Sequence, residues 1–136
     1  MTKRYATQIK ITTYQVREAT GPKIRSGNDI VKCFKELENA DKEMLFVTTI
    51  DQKNKTIDRH LISMGSLTAS LVHPREVFKP AIMDSAAAVI FVHNHPSGDS
   101  TPSKEDRKLT NRLKECAKLL GIRAVDHVII GKDNYY

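Results

Sequence analysis

Two histidines separated by one residue, His93 and His95, open the stretch His93-Asn94-His95-Pro96-Ser97-Gly98-Asp99-Ser100-Thr101-Pro102-Ser103-Lys104-Glu105-Asp106. At the end of a β-strand, residues two apart project from the same face with Cα atoms about 6 to 7 Å apart, so both imidazoles can reach one ion. Eleven residues after His95, Asp106 falls in the first turn of the helix that follows. The intervening loop, with two prolines and a glycine, can fold back and deliver its carboxylate to the pair. Two neutral imidazoles and one carboxylate make a three-ligand set that leaves a position for water, the arrangement of a catalytic rather than a structural zinc. One Zn2+ per chain is therefore expected on His93, His95 and Asp106.

Two other readings use the same residues. Ser103-x-x-Asp106 resembles a capping box, with serine at the cap and an acid three residues later, which needs no metal. It explains only the second half of the stretch, because paired histidines at the mouth of an apolar strand have no comparable packing rationale. A serine and an acid at a helix N-terminus can also cap and serve a site at once. Two histidines and a carboxylate further describe the facial triad of a non-haem iron oxygenase, for which oxygen-dependent turnover would be diagnostic.

The elements that must position these residues can be read from periodicity. AAAVIFV, residues 86 to 92, is an apolar run too short for an independent helix and reads as a buried central strand ending at His93. Ser103 opens a long helix with Leu109, Leu113, Cys116, Ala117 and Leu120 on one face, closed by Gly121. Upstream, Ser26-Gly27-Asn28-Asp29 offers a cap for a helix carrying Ile30, Cys33, Phe34 and Leu37 on one face and ending near Asn39. LFVTTI, residues 45 to 50, and residues 57 to 64 flank polar turn material and predict a hairpin. His73-Pro74 starts another helix, in which Pro80 predicts a kink or a restart. Val125 to Ile130 reads as a last strand. Residues 1 to 25 are basic and hold an alternating stretch, Gln8-Ile9-Lys10-Ile11, that suits an edge strand or an arm. Strands and helices mix without a strict βαβ repeat, so a sheet with helices packed on it, of α/β or α+β type, is expected.

Composition sets the outer limits. A chain of 136 residues fits one compact domain that needs no disulfides, and Cys33 and Cys116 belong to no closely spaced ligand set, so both read as reduced core thiols. The first residues lack the apolar core of a secretory signal, and no stretch approaches the roughly 18 apolar residues of a membrane span, so a cytoplasmic location is expected. With 22 Lys plus Arg against 16 Asp plus Glu, the formal charge is +6. That hints at an acidic partner, yet nucleic-acid binding needs the charge clustered on one surface, and Lys104, Arg107, Lys108, Arg112, Lys114 and Lys118 interleave with Glu105 and Glu115 as on an ordinary solvated face. His60 reads as hairpin surface, His73 as a helix entry and His127 as a strand residue alternating with core positions. All three are left out of the expected site.

H-x-H, seven residues, then Ser103-x-x-Asp106 matches the motif H-x-H-x7-S-x-x-D, and the chain thereby resembles the JAMM (JAB/MPN) metalloproteases. GSLTASLVHPREVFKPAI, AAAVIFVHNHPSGDSTPSKED and the final DHVIIG look like the RadC branch of that family, so the similarity runs from about Glu43 to the end. The resemblance implies a cytidine-deaminase-like three-layer α/β/α sandwich with a mixed sheet, spanning residues 29–136 as one JAB/MPN domain after a basic strand or arm over 1–28. It implies zinc on the two histidines and the aspartate, and a metal-activated water attacking a peptide or isopeptide carbonyl. Ser103 would then orient or stabilise the tetrahedral oxyanion. The family also requires an earlier glutamate as general base, and Glu43, just before LFVTTI where the RadC pattern places an acid, fits best. Glu43 and Ser103 together argue against the oxygenase.

RadC proteins typically carry an N-terminal helix-hairpin-helix region associated with DNA. The residues before Asp29 are too few and too strand-like to supply it, which weakens the expectation of DNA contact, and the ending at Tyr135-Tyr136 suggests a shortened C-terminus. Two functions follow as expectations: a hydrolase acting on an unknown peptide or isopeptide substrate, and, as its rival, a non-catalytic or nucleic-acid-associated module in DNA repair or mobile-element biology. Strongly salt-dependent DNA binding would favour the second. No membrane partner is expected.

Overall fold

A computed structural model of the chain describes residues 18–68 and 70–136. The stretch Gln8–Ile11, read above as a strand or arm, lies outside them. In chain order the elements are α1 (Gly27–Lys32), a 3-10 turn (Lys35–Asn39), β1 (Met44–Ile50), β2 (Thr56–Met64), α2 (Pro74–Met83), β3 (Ala88–Asn94), α3 (Lys104–Leu120) and β4 (Arg123–Ile130). The strands form one mixed sheet in the order β2-β1-β3-β4. β1 is antiparallel to both β2 and β3, whereas β3 and β4 run parallel. The parallel pair needs a crossover, and α3 supplies it.

All seven residues of β3 are buried, which is what a central strand covered on both faces requires. Val89 and Phe91 point into a core shared with α2 and α3, through Val77, Phe78, Leu109 and Leu113. Ala88, Ile90 and Val92 point the other way, against Ile30, Phe34 and Leu37. Helical segments therefore lie on both faces of the sheet, and the fold is the expected α/β class with a mixed sheet. Among the described residues no helix is long and apolar enough to cross a membrane.

Two local expectations change. The helix read from Asp29 to Asn39 is interrupted at Cys33 and Phe34, leaving α1 and a separate 3-10 turn. Phe34 leaves helical geometry (φ −131°, ψ 31°) and buries its ring edge-on against Phe46 at 5.1 Å, with the Arg59 guanidinium over both rings. Tertiary packing of one aromatic thus overrides the local period. At Pro80 no restart occurs, since α2 runs through it to Met83. Only one ladder hydrogen bond is forfeited there, in a helix whose Val77, Phe78 and Ala81 are anchored in the core.

Candidate metal centre

The sheet register builds the site. His93 pairs with Leu45 across the antiparallel β1–β3 ladder, and continuing that register by two places sets Glu43 opposite His95. Glu43, His93 and His95 therefore lie on one face by the two-residue alternation of strands. That face looks towards α3, whose first turn carries Asp106. One ligand atom from each of Glu43, His93, His95 and Asp106 lies within 4.8 Å of the other three. The structure thus gathers the three expected ligands and the expected acid in one cluster, which could hold a metal ion.

The donor atoms fit an ion. His93 Nε2 lies 3.1 Å from His95 Nε2, His95 Nε2 lies 2.9 Å from one Asp106 oxygen, and His93 Nε2 lies 3.3 Å from the other. Ligands held at about 2.0–2.2 Å around a tetrahedral zinc sit at about 3.3 Å from one another, so this triangle is close to the size required. Its chemistry also matches. His95 Nδ1 lies 2.8 Å from the Asp99 carbonyl, which can only accept, so Nδ1 carries a hydrogen and Nε2 is the nitrogen that faces the cluster.

Asp106 is held in place twice. Its Oδ2 accepts the Ser103 N–H at 2.8 Å, and its own N–H donates to Ser103 Oγ at 3.0 Å, a reciprocal capping box at the start of α3. The capping reading of Ser103-x-x-Asp106 is therefore present in the fold, and the capped carboxylate is the same one that faces the histidines. Burial pushes the Asp106 carboxyl up, but the pull of His93 and Ser103 outweighs it and holds the group well below the usual carboxylate range. Asp106 is thus ionised at neutral pH, as a metal ligand must be. Ser103 is exposed at the mouth of the cluster.

Two residues that sequence reasoning did not assign to the site support it. His127, on β4, places its Nε2 2.6 Å from His93 Nδ1, while its Nδ1 lies 2.6 Å from Thr110 Oγ1 on α3. Burial, with the neighbouring His93 and Lys114, pushes the His127 imidazole down to about 3 against the opposing pull of Asp106, so this ring is neutral. Asn94, the residue between the two histidines, points to the other face and is fully buried. Its amide bonds the backbone at Lys42 and Met44, on either side of Glu43. Of the other histidines, His73 is the exposed cap of α2. His60 is half-buried rather than plain hairpin surface, with its Nε2 2.7 Å from the buried Asp84 carboxylate that also accepts the Thr49 hydroxyl. Neither joins the cluster.

A family model described as "RadC-like JAB domain" matches residues 24–136. A UPF0758 protein of Clostridium perfringens (strain 13 / Type A) is 47% identical over 123 residues, 90% of this chain and 54% of its own length. One of Methanococcoides burtonii is 51% identical over 114 residues, 83% and 50% of the respective chains. One of Trichlorobacter lovleyi is 52% identical over 101 residues, 74% and 44%. The chain spans about half the length of the curated relatives it matches.

Proposed function

We propose, on the premise that this chain belongs to the RadC-like JAB domain family, that its cluster is the centre of a zinc-dependent hydrolase acting on a peptide or isopeptide bond. The observation that carries this reading is the convergence of four ligand-bearing groups, Glu43, His93, His95 and Asp106, within 4.8 Å. A catalytic ion of this kind supplies Lewis acidity and brings the pKa of a water to about 7.

The chain's own residues divide the remaining work. His93, His95 and Asp106 would hold the ion, three protein ligands being the number that leaves room for reaction. Glu43, on the same face of the sheet, takes a proton from water and passes it to the leaving nitrogen. Ser103 Oγ accepts the Asp106 N–H, which leaves the hydroxyl hydrogen of this exposed side chain for the developing oxyanion.

The test is metal content, measured by plasma mass spectrometry on protein purified without added metal, beside a His93→Ala/His95→Ala variant. About one zinc per wild-type chain and none in the variant is the expected result. Equal content in both, or no metal in either, overturns the reading, and salt-dependent DNA binding then becomes the activity to measure.

A further inference from the structure

We propose that His127 and Thr110 are positioning residues that set the tautomer of His93, through a one-directional chain of hydrogen bonds running from His93 across two elements to the backbone of Asp106. The inference rests on the metal reading above and adds to it the device that keeps His93 competent as a ligand.

The direction of the chain follows from its far end. Thr110 Oγ1 lies 2.8 Å from the carbonyl of Asp106, one helical turn earlier on α3. A carbonyl has no hydrogen to give, so the single hydroxyl hydrogen of Thr110 points at Asp106. The hydroxyl oxygen must then accept from its second neighbour, His127 Nδ1 at 2.6 Å, and that nitrogen carries a proton. A neutral ring protonated at Nδ1 has a bare Nε2, which accepts from His93 Nδ1 at 2.6 Å. His93 Nδ1 therefore carries a proton too, so that whenever the His93 ring is neutral its bare nitrogen is Nε2, the one that faces His95 and Asp106. The opposite tautomer would put a hydrogen on Nε2, where a cation must bind.

Packing fixes the geometry as well as the protonation. The His127 ring stands edge-on to His93, with centroids 4.8 Å apart, and edge-on to Phe91 at 5.9 Å. His93 itself is fully buried, so it has no water with which to make a competing hydrogen bond. The chain begins on one ligand, His93 of β3, passes through β4, and ends on the backbone of another, Asp106 of α3. A single run of hydrogen bonds thus couples two ligands from different elements, and His95 is set independently by the Asp99 carbonyl.

The experiment uses the full chain labelled with 15N-histidine, read by long-range 1H–15N correlation, and zinc affinity by competition with a chromophoric chelator. Expected are Nδ1–H protons on His93 and His127 with a bare His127 Nε2, in the chelator-treated and the zinc-loaded protein. Thr110→Val, of nearly the same shape, should weaken zinc by about 2- to 10-fold, the worth of one hydrogen bond, and blur the His127 tautomer. Thr110→Ser should restore both. His127→Phe should weaken zinc by about 10- to 100-fold. A bare Nδ1 on His93, a proton on His127 Nε2, or wild-type affinity in Thr110→Val would overturn the proposal. A wild-type chain with the expected tautomers that takes up no zinc would instead overturn the hydrolase reading, and with it any role for the chain of bonds in holding metal.

Discussion

The buried amide of Asn94 grips the backbone on both sides of Glu43, its Oδ1 accepting the Met44 N–H at 2.7 Å and its Nδ2 donating to the Lys42 carbonyl at 2.9 Å. The residue between the two histidines of the cluster thus fixes the strand entry that carries the acid. The amide itself is fully buried, so on the Asn94 side neither bond can be exchanged for one to solvent.

Asn94→Ala should therefore act on Glu43 without acting on the ion. It leaves the Met44 N–H and the Lys42 carbonyl without that partner and costs about 1–3 kcal/mol in urea unfolding. Turnover should fall by about 10-fold or more while zinc content stays near wild type. Equal loss of zinc and turnover would show that Asn94 supports the ligand set rather than Glu43.

Glu43→Gln keeps the size of the side chain and removes its basicity. If Glu43 moves the proton, turnover should fall by about 10²- to 10⁴-fold with zinc bound as in the wild type. The pair of measurements, zinc content and turnover on the same sample, separates a base from a ligand. Loss of zinc in this variant would make Glu43 a fourth ligand, which its place within 4.8 Å of the other three groups allows.

Asp106→Ala removes a carboxylate that closes the capping box of α3 and, on the proposed reading, would hold the ion. Loss of its capping-box bond to the Ser103 N–H should cost about 1 kcal/mol of stability, measured after chelator treatment, while Ser103 Oγ still caps the backbone N–H at position 106. Loss of a charged ligand should weaken zinc well beyond the effect of removing a neighbour such as His127. A variant that lost only the cap energy and kept its zinc would reduce Asp106 to a helix cap.

How much of this was legible in the sequence depends on how far apart the partners lie along the chain. His93, His95 and Asp106 are close in sequence and are placed by strand alternation and a helix cap, so their spacing alone pointed to a common site. Glu43 sits 50 residues before His93, and only the β1–β3 register brings it opposite His95. It was found through the family resemblance, because no local pattern distinguishes it from other acids at strand entries. His127 looked like one more residue of an alternating strand. Its role exists only because β4 pairs in parallel with β3, setting His127 beside Phe91 and its ring against His93, which is a tertiary fact. The interruption at Phe34 has the same origin, since the period of Ile30, Cys33, Phe34 and Leu37 carries no sign of the Phe46 ring waiting on β1.

The His127 ring also makes a prediction about acid. Its folded-state pKa is pushed down to about 3 from an ordinary value near 6.5, first by burial and then by the neighbouring His93 and Lys114. Between those two values the unfolded chain binds a proton at this residue that the folded chain does not, so unfolding is favoured as pH falls. The contribution of His127 is fully present above about pH 6.5 and is lost progressively as pH drops towards 3. Urea unfolding of chelator-treated protein at pH 7 and at pH 4.5 should show the wild type losing stability on acidification, and His127→Phe losing measurably less over the same interval. The comparison is between the two slopes, so the stability that His127→Phe forfeits at both pH values drops out. Identical slopes would mean that His127 takes up its proton in the folded chain as readily as in the unfolded one, and that the ring between His93 and Thr110 is not held neutral by its surroundings.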